Sequence, residues 1–545
     1  MGKSNKKEEN NEEKELFWAD QLSEKIINRK RFHYIDKKIP KFDVFTVKTS
    51  ASLSGVLHIG RLSDTIRGES AYRALKDAGV KAKLIWVAED MDPLRKVPKN
   101  VPKHFEKYIG MAVTDVPDPD GNYKSYADRF KSEYFEVLDE FVTTKMERFS
   151  MREEYQKGKF NKYIKKILEK SEEIREIQNR YRTNKLSKGF VPWIPICDNC
   201  GKIVTTKVKE ISNGVVKYRC KDYEFETRTA KGCGHKGEND PLKGNGKLLW
   251  KSEWAAQWAY WKVIAEGAGK EYQVPNSAFW INAEIVERVL SFPMPEPIFY
   301  EHLMIDGEKM SASLGNVVYP KDWLEIGPAE LLKFFYNKRL MKTRSFSWKD
   351  LSKLYDDYDT HMDVFLGKVE LDNKKEEQHM KRLFEISCGK EINPAGITFS
   401  HATMVAQIGP TEEDMIRSME KTGHYDKKMH NAIFERINKA KTWLEKYAPE
   451  DVKFIVQDTV PKDLKLSSKE KEALHLVVKA LHEKKWNEKT LFEEFYNICK
   501  KVEVKNTDFF RAAYNVLLNK DRGPKLAPFI LALGKEKVIG LFEKV

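Results

Sequence analysis

Two short stretches of this chain hold residues whose types and spacing could act on phosphate. The first is Ser54-Gly55-Val56-Leu57-His58-Ile59-Gly60-Arg61. His58 can donate a hydrogen bond to a phosphate oxygen, and Gly60 offers no side chain to block a stacked base. On its own the stretch is short, and a structural histidine is the plainer reading. The second is Lys309-Met310-Ser311-Ala312-Ser313, followed by Leu-Gly-Asn. A loop with one cation and two hydroxyls can close over a triphosphate and stabilise charge that develops on departing pyrophosphate. Alone, a lysine in a serine-rich loop reads as a solvated turn.

A third group could hold a metal. Four of the six cysteines lie between Cys197 and Cys233. The segment opens Cys197-Asp198-Asn199-Cys200 and closes Cys233-Gly234-His235, with Cys220 between. Clustered cysteines in a cytosolic chain read as a metal site before they read as disulfides. Cys197, Cys200, Cys233 and His235 would make a closed tetrahedral Zn²⁺ site, with Cys220 as the alternative fourth ligand. A structural zinc of this kind stabilises a segment too small for its own core.

The elements that must position these groups follow from periodicity. Residues 42–47 read as a strand and are followed by a turn. Leu62, Ile66, Ala71, Ala74, Leu75 and Ala78 recur at helical spacing until Gly79. Leu84 to Val87 form a continuous apolar run stopped by Glu89-Asp90. Strand, helix and buried strand in close succession make a βαβ unit, hence a parallel sheet. His58 and Gly60 then stand outside the carboxyl end of a strand and at a helix N-terminus, where such sheets bind phosphate. Asp90 and Asp92 leave the next strand end and are acidic site candidates. A long helical stretch is expected over 126–182 and sheet-like material over about 247–320. Helices are expected from Pro328 to the end.

Composition sets the frame. The 545 residues suffice for about three or four domains. No run reaches the ~18 apolar residues that a membrane span needs, and the polar first residues carry no apolar signal region. The expectation is a cytoplasmic protein without a membrane partner. A net charge of +14 suits a polyanionic partner.

Taken together and in this order, the first two stretches resemble the HIGH and KMSKS signatures of class I aminoacyl-tRNA synthetases. Further segments resemble one family among them, the archaeal-type class I lysyl-tRNA synthetases. These are Ala88-Glu89-Asp90-Met91-Asp92-Pro93-Leu94-Arg95, Tyr108-Ile109-Gly110, Val116-Pro117-Asp118-Pro119-Asp120-Gly121 and Ser125-Tyr126-Ala127. The cysteine segment, Lys247 to Ala255, and Arg522-Gly523-Pro524-Lys525-Leu526 continue the resemblance over roughly residues 16–545.

The resemblance implies an α/β fold: a Rossmann-like class I catalytic domain with a zinc-binding insert, followed by an all-α anticodon-binding region. The expected parts are a polar tail (1–15), the catalytic domain in two halves (16–195 and 241–325) around the insert (196–240), a stem-contact helical domain (326–375) and an anticodon-binding domain (376–545). The implied activity is ATP-dependent attachment of L-lysine to tRNA-Lys through a lysyl-adenylate, with structural Zn and with Mg accompanying ATP. His58 and Lys309 would be catalytic. ATP would meet His58, Gly60, Arg61, Lys309, Ser311 and Ser313. Lysine would meet Ser50, Ser52, Trp250, Glu253 and Tyr300, with Asp90, Asp92 and Tyr272 as further candidates. The chain departs from the family pattern at several places. Arg61 stands where the last histidine of HIGH would be, and Glu253 where the family has Asp. Gly269-Lys270-Glu271-Tyr272 replaces Gly-Lys-Asp-His, and Pro275-Asn276-Ser277 replaces Gly-Gly-Ser.

The cations Lys333, Lys338, Arg339, Lys342 and Arg344 are expected to form a patch for the tRNA backbone. Trp443, Phe492, Tyr496 and Phe510 are expected mostly in a helical core. Two other classes fit the phosphate motifs: a nucleotidyltransferase, which the length of the helical half argues against, and a non-catalytic tRNA-binding relative, which intact His58 and Lys309 argue against.

Overall fold

A computed structural model describes residues 17–53, 56–97, 101–310, 316–342, 344–388 and 392–545. The expected tail, Ser54-Gly55, Ser311 and Ser313 lie outside the described residues. The chain divides into two compact units. One holds residues 1–323, 332–345 and 370–389; the other holds 324–331, 346–369 and 390–545.

The first unit is built on a five-stranded parallel sheet. Its strands are β1 (Phe45–Ser52), β2 (Ala82–Glu89), β3 (Met146–Ser150), β4 (Val263–Gly269) and β5 (Glu296–Tyr300). They lie in the order β5-β4-β1-β2-β3, every neighbouring pair parallel. The chain therefore runs outward from β1 to β3, then returns to the other side of β1 and runs outward again to β5. The carboxyl ends of β1 and β4 flank the point where the order reverses, and open α/β sheets bind ligands in the crevice at that point. Near-continuous burial along β2 and β4 marks strands covered on both faces. Helix α1 (Ile59–Asp77) crosses between β1 and β2 and buries Ile59, Leu62, Ile66, Ala71, Ala74 and Leu75.

Three sequence expectations differ from the fold. The first strand is Phe45–Ser52 rather than 42–47, so residues 49–52, read as a turn, belong to it. The stretch 126–182 is not one helical region. Helix α2 (Tyr126–Phe141) ends, Met146–Ser150 adds β3 to the sheet edge, and shorter helices resume at Met151. Five residues between helices are too few to show a period, so β3 is visible only through its pairing with Leu84 to Ala88. Residues 247–320 are not mainly sheet either. Helix α3 (Trp250–Trp261) and helix α4 (Ala278–Arg288) precede β4 and β5 respectively. Trp250, Trp254, Trp258 and Trp261 recur three and four residues apart, which sets them on one helical face packed against the sheet.

The cysteine segment forms a small three-stranded antiparallel sheet from Thr206–Ser212, Val215–Cys220 and Lys236–Asn239. The second unit is helical, as the pattern after Pro328 implies. Trp443 is 2% exposed in its core, where its indole N–H donates to the Trp348 carbonyl at 2.9 Å. Among the described residues, no helix is long and apolar enough to cross a membrane.

Lys333 does not belong to the expected cationic patch. It and Glu69 of α1 are each 1% exposed at the side chain, and they pair at 2.9 Å. Glu69 also accepts the Thr144 amide at 3.0 Å. Removing one member of a buried pair strands the other charge, at a cost of about 3–5 kcal/mol. Lys333→Met should lower unfolding stability by that amount, and adding Glu69→Gln should restore part of it. Chemical denaturation checks this; a K333M protein of unchanged stability would return Lys333 to the surface patch.

Candidate functional site

The carboxyl ends of β1, β4 and β5 and the N-terminus of α1 enclose a cleft of about 680 Å³. His58 caps α1. Its Nδ1 accepts the Gly60 amide at 3.1 Å, which leaves Nε2 to carry the proton and donate into the cleft. Burial, followed by the charges of Arg61 and Lys309, pushes the His58 pKa down to about 4. At neutral pH the ring is therefore an uncharged hydrogen-bond donor, beside a helix N-terminus that itself favours anions. A Cβ at Gly60 would stand 2.9 Å from the His58 ring and 2.8 Å from Met310, so only glycine lets ring and loop approach here. Arg61 and Lys309 also line the cleft and add positive charge on this side.

Acidic side chains line the cleft as well, Asp64 from α1 itself, one turn beyond Arg61. Asp64, Glu89 and Asp92 line it together with Ser50 and Ser52. The Ser52 hydroxyl donates to Asp92 at 2.7 Å. The Ser50 amide and the Tyr300 hydroxyl, each 3.2 Å away, hold the two oxygens of Asp64. Gly267 leaves room for that carboxylate, since a Cβ there would lie 2.1 Å from Asp64 Oδ1. Lys247 reaches the wall, paired with Glu253 at 2.9 Å and 3.8 Å from Asp92. Burial alone would push the Lys247 pKa down, but Glu253, Asp92 and Glu89 raise it, so it stays charged. Burial pushes Glu89 up to about 8, against the lowering effect of Lys48. Burial and then Glu266 push Asp64 up to about 6.

Aromatic rings close the sides. Trp250 stacks on Trp254 with centroids 4.8 Å apart, and Tyr272 meets Trp254 edge-on at 5.2 Å. All three line the cleft, as does Tyr300.

Two sequence candidates are placed elsewhere. Asp90 is wholly buried and does not line the cleft: it accepts the Ser150 hydroxyl at 2.6 Å and the Arg152 amide at 3.0 Å, tying β2 to the end of β3. Glu253 is buried behind the wall, where the Tyr155 hydroxyl donates to it at 2.7 Å, and it holds Lys247 in place.

In the cysteine segment, Cys197, Cys200, Cys220 and Cys233 converge. Their sulfurs lie 3.7 Å apart in the pairs 197–233 and 200–220. A tetrahedral ion with bonds of about 2.3 Å has sulfur–sulfur edges of about 3.8 Å, so four thiolates here fit a zinc ion. His235 is not among the converging donors. Its carbonyl accepts the Cys220 amide at 2.8 Å, and its ring lies near Tyr218 instead.

Known proteins resemble this chain over nearly its whole length. The family model for tRNA synthetases class I (K) matches residues 16–390. The chain belongs to that family. An anticodon binding domain model matches residues 418–540. The lysine–tRNA ligase of Methanocaldococcus jannaschii is 31% identical over 97% of this chain and 100% of its own. The enzyme of the same name from Thermococcus kodakarensis is 32% identical over 96% and 98%, and that of Methanosphaera stadtmanae 29% over 96% and 98%.

In this class I synthetase the cleft brings together His58, Gly60, Arg61, Lys309, Ser50, Ser52, Asp92, Trp250, Tyr272 and Tyr300 from the sequence candidates. Sequence reasoning missed Asp64, Glu89 and Lys247. Strand alternation offers a signal for Glu89: it pairs in register with Ser52, so the two residues share a face. Asp64 lay within a helix pattern with nothing to set it apart.

An uncharged donor at position 58 has a kinetic signature. His58→Asn, which still donates without charge, should stay within about tenfold of wild type in adenylate formation. His58→Ala should lose about 10²–10³-fold, the scale of one preorganised donor. Because the His58 pKa is lowered, its charged form exists only below about pH 4. No step assignable to it should appear between about pH 5.5 and 8. A wild-type step near pH 6.5 that vanishes in H58N would contradict a neutral ring.

Proposed function

We propose that the chain attaches L-lysine to tRNA-Lys in two steps within this cleft. A lysine carboxylate oxygen attacks the α-phosphorus of ATP, and pyrophosphate leaves with the bonding electrons. A ribose hydroxyl of the tRNA 3′ adenosine then attacks the lysyl carbonyl, and AMP leaves. The observation that carries the reading is the mixed charge of the cleft: neutral His58, Arg61 and Lys309 share one lining with Asp64, Glu89 and Asp92 and with Trp250 and Trp254. The cations suit the triphosphate. The carboxylates suit the two ammonium groups of lysine, and the rings of Trp250 and Trp254 suit its aliphatic stem. Catalysis then rests on orientation and on stabilising charge at the phosphates. Ser311 and Ser313 would assist Lys309, and Mg²⁺ would accompany ATP. Zn²⁺ on the four cysteines would stabilise the insert.

tRNA would meet two surfaces. Arg339 and Lys342 are exposed and would contact backbone phosphates. On helix Glu488–Val502, Phe492 and Tyr496 are 46% and 42% exposed, their rings 5.0 Å apart. Exposed rings of this kind can stack unpaired anticodon bases.

Lysine should drive ATP–pyrophosphate exchange with tRNA present. Lys309→Ala should slow exchange by about 10²–10³-fold with little change in lysine affinity. Exchange with arginine or glutamate but not lysine would overturn the assignment, and near-normal K309A turnover would remove Lys309 from the mechanism.

The raised Glu89 pKa makes lysine binding pH-dependent. Below about 8 the empty site holds a proton on Glu89 that an incoming ammonium must expel. Affinity should therefore fall as pH drops from about 8.5 to 6.5, with proton release seen by calorimetry in buffers of different ionisation enthalpy. Glu89→Gln should flatten the profile; an unchanged profile in E89Q would exclude this carboxyl.

A further inference from the structure

A second group of metal-type donors lies in the helical unit, separate from the cysteines and from the cleft. His401 sits on helix Phe399–Ile408 and is 7% exposed. His424 follows Gly423, the left-handed cap of helix Glu412–Thr422, and its amide donates to the Met419 carbonyl at 2.9 Å. Glu488 opens helix Glu488–Val502. One donor atom from each of the three lies within 4.8 Å of the other two.

Two of these atoms need a partner. His424 Nδ1 and Glu488 Oε1 are buried and have no hydrogen-bond partner among the described residues. They stand 3.6 Å apart, too far for a hydrogen bond. Buried polar atoms normally find a partner, and each one left without it calls for an explanation such as a water or an ion. A tetrahedral ion with bonds of about 2.0–2.2 Å separates its ligand atoms by about 3.3–3.6 Å, which matches this pair. The two imidazoles are adjacent, their centroids 4.1 Å apart and their planes inclined by 33°. Thr422 Oγ1 lies 3.4 Å from His401 Nε2 and 3.0 Å from the Met419 carbonyl, and can orient the His401 ring. Such an outer partner commonly orients a ligating histidine.

We propose that His401, His424 and Glu488 bind a divalent transition-metal ion of the zinc class. Two imidazoles and one carboxylate suit Zn²⁺ better than Mg²⁺ or Ca²⁺, which take oxygen ligands. Water completes the coordination. The ion joins three segments distant in sequence, and so clamps the start of helix Glu488–Val502 to its neighbours. It stabilises the helical unit by the free energy of binding.

The test uses full-length protein equilibrated with excess Zn²⁺ and then passed over a weak chelating resin. Elemental analysis should find one more zinc per chain in wild type than in His424→Asn or Glu488→Gln. Each replaced residue is partly exposed, so the variants should fold, which circular dichroism checks. Crystals of the wild-type chain measured at the zinc absorption edge supply a second readout that needs no variant, with an anomalous peak expected between the three side chains. Equal zinc in wild type and variants, or a peak at the cysteines alone, overturns the proposal.

Discussion

The cleft depends on one buried charge. Lys48 lies in the middle of β1, wholly inside a sheet covered on both faces. A bare ammonium there would be prohibitively costly, so its neighbours must be acidic. Glu266, opposite it in register on β4, pairs at 2.6 Å, and Glu89 at the end of β2 lies 3.7 Å away. The Trp258 indole donates to Glu266 at 2.5 Å, and the Gln257 amide donates to Glu89 at 3.1 Å. Lys48 thus ties β1 to strands on both sides and to α3. These are the strands whose order reverses at the cleft. A one-residue slip of β4 against β1 would part Lys48 from Glu266 and leave a buried charge without its partner. The same network brings Glu89 to the cleft wall, where burial makes it a weak acid.

A second set of constraints acts through space rather than charge. Gly60 admits the His58 ring and Met310, and Gly267 admits the Asp64 carboxylate. Gly60 lies in the first turn of α1 and Gly267 within β4, each where a side chain of another segment packs close. The cleft can therefore hold cationic and acidic groups in one lining, which a site joining an anionic and a cationic substrate requires.

Much of the catalytic unit was legible in the sequence, because β1, α1 and β2 carry plain periodicity and the phosphate motifs fall at their junctions. The fourth converging cysteine was not. Spacing alone favoured His235, whereas the antiparallel pairing of Val215–Cys220 with Lys236–Asn239 brings Cys220 beside Cys233. Lys333 looked like a member of a surface patch because its neighbours are exposed cations. Its burial follows from Glu69, more than two hundred residues away, and no local pattern encodes that. Asp90 and Asp92 looked equivalent, yet a two-residue step past the strand end turns one toward β3 and the other toward Ser52. Among the aromatics, Trp443 is core as its type suggests, while Phe492 and Tyr496 are exposed because their helix presents that face outward.

The central claim is that the acidic wall selects an amino acid with a charged side chain. Lysyl-sulfamoyl adenosine, a stable mimic of the adenylate, can be compared with its norleucyl counterpart, which keeps the stem and lacks the ε-ammonium. A site built to bind a charged group rejects the analogue that lacks it, because its own buried groups are left unpaired. Calorimetry on the full-length chain should show the lysyl compound binding at least about a hundredfold more tightly. Equal affinity for the two would mean that the acidic wall does not read the side chain, and would contradict the account.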